Sequence, residues 1–190
     1  MNNTLTVIIP FLNEGKEVYN TVKSLREHSE QAFEIILIND CSTDGYDYKK
    51  VAEDFDAIYI EHSKRMGVAA SRDEGVRNCS TEYILFLDAH MRTCQRDWVD
   101  FTELCVKWST DECTLPEDRV IDIPCVLGAA YACSKEYWLH LEGLKGLRSY
   151  GLDEQLISLK VWLDGGKCRL IKDVTFGHIF REATYYNKTQ

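Results

Sequence analysis

The chain has 190 residues, 22 Lys and Arg against 31 Asp and Glu, and a formal net charge of −9. That length can bury roughly 70% of its unfolded surface, and a composition of 45% hydrophobic and 11% aromatic residues excludes wholesale disorder. The charge excludes a general polyanion binder, whose footprint is basic, while leaving room for a few local cations to hold a small anion.

No apolar run approaches the roughly 18 to 20 residues that span a bilayer. The opening MNNTLTVIIPFLNEG has neither a basic leader nor a small-residue cleavage site, so the expectation is a soluble, cytoplasmic chain with no transmembrane segment. The eight cysteines show no CxxC spacing. They read as reduced thiols, several of them buried, rather than as paired zinc ligands.

In chain order, Thr6 to Pro10 is a continuous β-branched run, expected to be a strand buried on both faces. Val18, Val22 and Leu25 then recur at helical spacing behind Glu14. Ile35 to Ile38 and Ala57 to Ile60 read as further strands, Val68 to Asn78 as a helix, and Tyr83 to Leu87 as the most strand-like run of all. Trp98, Phe101, Cys105 and Trp108 form a helical stripe, and residues 109–118 a polar loop. Val120 to Pro124 and Gly128 to Cys133 can be strands. Asp153 to Leu163 is a helix ended by Gly165-Gly166, with Leu156, Leu159 or Lys160, and Leu163 on its buried side. No repeat or linker divides the chain. Alternating strands and helices imply a mostly parallel, Rossmann-like central sheet flanked by helices in one domain. In such sheets ligands bind beyond the carboxyl ends of the strands.

Four segments lie there. The first is Pro10-Phe11-Leu12-Asn13-Glu14-Gly15. The second runs from Asn39 through Asp40 to Asp44-Gly45, where an Asp can accept from a base or a ribose hydroxyl. The third runs from His62 through Lys64, Arg65 and Gly67 to Arg72 and Gly75. Its cations, glycine and helix start suit a diphosphate. The fourth, Asp88-Ala89-His90, pairs a carboxylate with an imidazole. Mixed oxygen and nitrogen donors suit Mn²⁺ or a similar ion better than Ca²⁺, and His178 is available as a third donor. Each signal has a bland alternative: an Asx-turn for Asp40, a solvated basic loop, a core histidine at position 178.

The order VIIPFLNEG, ILINDCSTDG, Gly67-x4-Arg72-x2-Gly75 and ILFLDAH resembles the donor half of GT-A glycosyltransferases, the nucleotide-diphospho-sugar transferase fold. It looks like the large family-2 type that opens VIIPxxNE. More narrowly, LDAH, GAAYACSKEYW, YGLDEQLISLKVWLDGG and GHIFR are similar to the polypeptide N-acetylgalactosaminyltransferases, which carry Asp-x-His in place of Asp-x-Asp.

The resemblance implies metal-dependent transfer of a sugar from UDP, or another nucleotide, to a hydroxyl of a glycan or other acceptor. About residues 1–95 would be the donor half and about 96–190 the acceptor and catalytic half. Pro10, Phe11, Asn13, Glu14, Asp40, Gly67, Arg72, Asp88 and Arg181 would line the donor site. Within it, Asp40 would meet uracil, Asn13 or Glu14 the nucleotide, and Arg72 the diphosphate. Asp88, His90 and His178 would hold Mn²⁺, with Mg²⁺ possible.

Asp153 would be the acceptor-facing carboxylate, with Glu154 in reserve. The stereochemistry, inverting or retaining, stays open. Tyr150-Gly151-Leu152-Asp153-Glu154 stands where that subfamily has Trp-Gly-Gly-Glu-Asn, and the interval from His90 to Gly128 is short. The resemblance therefore leaves both the acceptor and the sugar, hexosyl or N-acetylhexosaminyl, open. A nucleotidyltransferase would need a Gly-rich loop where PFLNEG stands. The remaining alternative is a catalytically silent nucleotide-sugar- or glycan-binding module.

Overall fold

The computed structural model describes residues 4–29, 31–93, 119–147, 151–172, 174 and 176–179. The tryptophan stripe, the 109–118 loop and Arg181 lie outside them. The first half runs β1 (Leu5–Phe11), α1 (Lys16–His28), β2 (Glu34–Asn39), α2 (Tyr48–Asp54), β3 (Ile58–Glu61), α3 (Val68–Asn78), β4 (Tyr83–Leu87) and β5 (Met91–Thr93). The second half adds β6 (Val120–Asp122), β7 (Ala130–Ser134), α4 (Lys135–His140), α5 (Asp153–Leu163), β8 (Arg169–Ile171) and β9 (Phe176–His178).

The central sheet has the order β3-β2-β1-β4-β7. Its first four strands are parallel and β7 runs antiparallel against β4. The fold is α/β with a mostly parallel sheet, as the strand-helix alternation requires. Apolar runs are continuous in β1 and β2 because both faces are covered. Val7, Ile9, Phe11, Ile35 and Leu37 pack with Val18, Val22 and Val51 of α1 and α2. Ile8, Ile36 and Ile38 point the other way, to Val76, Trp138 and Ile157. Period-2 alternation thus feeds two cores from the same strands.

The chain leaves β1 toward β2 and β3, then crosses back through α3 to place β4 on the other side of β1. That reversal puts the topological switch point at the carboxyl ends of β1 and β4. Two antiparallel pairs, β5–β9 and β6–β8, lie outside the main sheet. Among the described residues no helix is long and apolar enough to cross a membrane. The described cysteines, 41, 79, 125, 133 and 168, are all free thiols.

One expectation holds only in part: Leu156 packs against the core and Lys160 is half-buried, but the rest of that face differs. The inner side of α5 is Asp153, Ile157 and Ser158, while Leu159 and Leu163 are 55% and 79% exposed. The helix turns a carboxylate inward because a buried cation, described below, receives it.

α3 lies close enough on the sheet that a Cβ on Gly75 would sit 2.4 Å from Ile8 Cγ2 and 3.0 Å from Ile38 Cδ1. Gly75→Ala is therefore expected to cost about 1–3 kcal/mol by overpacking. Urea unfolding measures it, and an unchanged midpoint would show that the helix–sheet contact is looser than this spacing requires.

Candidate functional site

The loops that leave the strand ends are tied to one another by their polar side chains. Asn13, in left-handed conformation at φ 55°, accepts from Thr43 N at 2.7 Å and takes the Ser42 hydroxyl on its own N–H at 2.9 Å. The loops after β1 and β2 are thereby clamped together. Pro10 and Phe11 are buried in the sheet, with the Phe11 ring 4.5 Å from that of Tyr48.

Asp40 is 5% exposed. Its Oδ1 accepts from His62 Nδ1 (2.8 Å) and Met66 N (2.7 Å), and its Oδ2 from Gly67 N (2.8 Å). Burial alone would raise this carboxyl, but the bonds from His62 and the two amides outweigh it and hold it below its ordinary value. The carboxylate fixes the loop that starts α3, where Gly67 sits at φ 88°, a conformation suited to glycine.

His62 received no role in the sequence reading. Its other nitrogen, Nε2, lies 2.9 Å from Glu74 Oε2. Ionised carboxylates only accept, so both ring nitrogens carry protons and the ring is imidazolium. Burial opposes that charge, yet the bonds to Asp40 and Glu74 prevail and raise its pKa. His62 also sits just past a strand end, which is the one signal that could have marked it. Lys64 and Arg65, in the same loop, are exposed.

Beyond β4, Asp88, His90 and His178 converge, each offering one ligand atom within 4.8 Å of the others. Chain topology explains how residues so far apart meet. β5 pairs with β9 so that Met91 faces His178, and Ile179 N donates to His90 O at 2.9 Å. His90 Nε2 and His178 Nε2 are 3.1 Å apart with their rings near perpendicular, at 84°. Ligand bonds of about 2.1 Å at right angles place two donors about 3.0 Å apart, so this pair and the nearby carboxylate fit a divalent ion. Burial lowers the pKa of both histidines, which favours the neutral rings that ligate metals.

Arg72 is 2% exposed. It donates to Asp153 Oδ2 through NH1 and to Gly128 O through NH2 at 2.8 Å, and its NH2 lies 3.5 Å from Asp88 Oδ1. Its guanidinium also lies over the rings of Tyr131 (5.2 Å) and Phe86 (5.8 Å). Arg72 therefore stands between a metal-type ligand and the carboxylate that opens α5. Glu154, next in the chain, approaches Gly128, where a Cβ would meet its Oε2 at 3.2 Å. Burial raises the Glu154 carboxyl and Asp153 beside it adds to the rise.

The structure thus gathers Glu14, Arg72, Asp88, His90, Asp153, Glu154 and His178 at one end of the sheet. Asp40 and Gly67 form an adjoining cluster at the head of α3.

His62 gives a stability prediction. Its folded pKa is raised above the ordinary 6.5, so its contribution is full below that pH and is lost as pH rises through the folded value. Wild-type stability should fall across that window and His62→Gln should flatten the fall, as read by urea midpoints at a series of pH values. Parallel profiles for the two proteins would dismiss the imidazolium.

Comparisons with known proteins bear on the fold and on the kind of protein it belongs with. Residues 6–99 match the family model described as glycosyl transferase family 2. The chain is 27% identical over 165 residues to an uncharacterized glycosyltransferase, YibD, of Escherichia coli, covering 73% of this chain and 46% of that protein. It is 27% identical over 227 residues to N-acetylgalactosaminyltransferase 6 of Drosophila melanogaster, covering 94% and 34% respectively. This chain thus spans between a third and a half of these curated relatives.

Among solved structures, GalNAc-T7 with UDP, GalNAc and Mn²⁺ superposes with a TM-score of 0.78 at 20% identity, over 94% of this chain and 44% of that one. Staphylococcus aureus TarS 1-349 with UDP-GlcNAc gives 0.70 at 15% identity, over 94% and 59%. The sheet order and these matches together show a GT-A fold, within which residues 6–99 match glycosyl transferase family 2.

Proposed function

We propose that this chain transfers a sugar from a nucleotide sugar, most simply a UDP-sugar, to a hydroxyl of a glycan or other acceptor, with Mn²⁺ or Mg²⁺ as cofactor. About residues 1–95 serve the donor and about 96–190 the acceptor. The observation that carries this reading is the convergence of Asp88, His90 and His178 beside an Arg72 that is itself paired to Asp153. Relatives solved with UDP and Mn²⁺, with GDP-Man and Mn²⁺, and with UDP-GlcNAc support the donor class.

In this reading Asp88, His90 and His178 hold the ion. Bound there, it supplies Lewis acidity to the departing diphosphate. Asp40 keeps the head of α3 in place beside the nucleotide, and Asn13 joins the two loops that flank it. Arg72 keeps its charge next to Asp88 and holds Asp153 at the acceptor side.

Transfer forms a bond from the acceptor oxygen to the anomeric carbon and breaks the bond to the phosphate oxygen, which leaves with the electron pair. If the enzyme inverts, Asp153 takes the acceptor proton as general base. If it retains, the proton passes to the leaving phosphate and Asp153 orients the acceptor. Glu154, with its raised pKa, is the second carboxyl in reach of that proton.

Two measurements test the proposal. EDTA treatment should abolish nucleotide release from a panel of nucleotide sugars and Mn²⁺ should restore it, whereas full activity in metal-free protein would sink the three-ligand site. Asp153→Asn should lower turnover by about 10²-fold or more, and near-normal turnover would remove Asp153 from the chemistry. A silent binding module would release no nucleotide in either experiment.

A further inference from the structure

We infer that Glu14 is a positioning residue for His90: it holds the imidazole as the Nδ1–H tautomer and so aims Nε2 at the point shared with Asp88 and His178. The inference rests on the metal reading above and changes the role of Glu14, which the sequence placed against the nucleotide. Glu14 Oε2 lies 3.3 Å from His90 Nδ1, with the two side chains only 8% and 15% exposed. A carboxylate so enclosed, with its oxygen against a ring nitrogen, is poorly placed to meet a ligand arriving from solvent.

The surroundings leave ring rotation as the freedom that remains to His90. On one side of it the Thr21 hydroxyl reaches Ala89 O at 2.7 Å, and on the other it meets Met91 O at 2.9 Å and Met91 N at 3.1 Å. Thr21 is fully buried in α1. The His90 carbonyl itself accepts from Ile179 N at 2.9 Å. The backbone is therefore fixed from α1 and from the β5–β9 pair.

What orients the ring is the acceptor at Nδ1. A carboxylate there obliges Nδ1 to donate, which leaves the Nε2 lone pair facing His178 Nε2 at 3.1 Å. A carboxylate behind a ligating histidine fixes tautomer and ring orientation and raises ligand basicity, and removing such a partner typically costs 10- to 100-fold in metal affinity. Glu14 and Thr21 come from the same stretch, the β1 exit and α1, so one element supplies both the backbone and the ring restraint.

The test uses the full chain without nucleotide or acceptor. Mn²⁺ affinity is measured by the EPR signal of the free ion, and the His90 tautomer by long-range nitrogen–proton correlation NMR of the metal-free protein. Wild type should show Nδ1–H at His90. Glu14→Leu should lose that preference and bind Mn²⁺ about 10- to 100-fold more weakly. Glu14→Gln, whose amide oxygen still accepts from Nδ1–H, should keep the tautomer and most of the affinity.

An Nε2–H tautomer in wild type would overturn the inference without recourse to any variant. So would a Glu14→Leu protein with unchanged tautomer and affinity. If wild type binds no Mn²⁺ at all, the metal reading falls instead, and the wild-type tautomer still decides what Glu14 does to His90.

Discussion

A single buried guanidinium holds the functional end of this molecule together. Taking a cation out of water costs several kcal/mol unless partners replace the lost hydration. Arg72 has those partners in Asp153, Asp88 and the Gly128 carbonyl, with Tyr131 and Phe86 against its faces. They come from the end of β4, the approach to β7 and the first turn of α5. Shifting any of them would leave a charge buried and unmatched, so their relative placement is set by the cation. Arg72 is in turn set by α3, which Gly75 lets lie directly on Ile8 of β1. Packing in the sheet and geometry at the site are consequently one problem.

The other restraints share a pattern in which a charged or polar group is held by a neighbour before any ligand arrives. Asp40 is held by His62 and two loop amides, and His62 by Glu74. His90 is held by Glu14 and its flanking backbone by Thr21. Such preorganisation places the ordering cost in folding rather than in binding. It also locates strain. Of the five non-glycine residues at positive φ among those described, Asn13, Cys41 and Leu152 each stand within one residue of Glu14, Asp40 or Asp153, while Asp56 and Glu142 lie in turns elsewhere. Backbone departures of this sort persist where surrounding contacts over-determine them.

Much of this was legible in the sequence, for identifiable reasons. β1, β2 and β4 were readable because strands covered on both faces must be apolar throughout, and α1 and α3 because their spacing is helical. The metal-type trio was readable only as motifs. Its convergence depends on β5 and β9, three-residue strands too short for any periodicity to reveal. α2 escaped notice because its seven residues carry a buried face of only Tyr48, Val51 and Ala52. The buried side of α5 was only partly legible because apolar spacing cannot announce that an aspartate will be drawn inward by an arginine from another helix. The Asp40–His62–Glu74 chain was hidden for the same reason. It joins two residues just past strand ends, Asp40 and His62, to Glu74 on α3, and only the β2–β3–α3 crossover brings them together.

The acidic balance of the chain acquires a local meaning from this arrangement. The sequence offered Arg72 as a counter-charge for a diphosphate, but in the fold that cation already faces two carboxylates, Asp88 and Asp153. Glu14 and Glu154 stand close by, while Lys64 and Arg65 are out in solvent at the head of α3. Opposite charges attract within a few ångströms and exposed ones are weakened by screening, so among the described residues the groups lining the site are electronegative in balance. A diphosphate would be repelled by those carboxylates. Two neutral imidazoles and one carboxylate answer that problem, because they add a single negative charge and can bring in two positive ones. The proposed ion is therefore what would turn a site that repels the donor into one that holds it, and the orientation of His90 governs how firmly that ion is held.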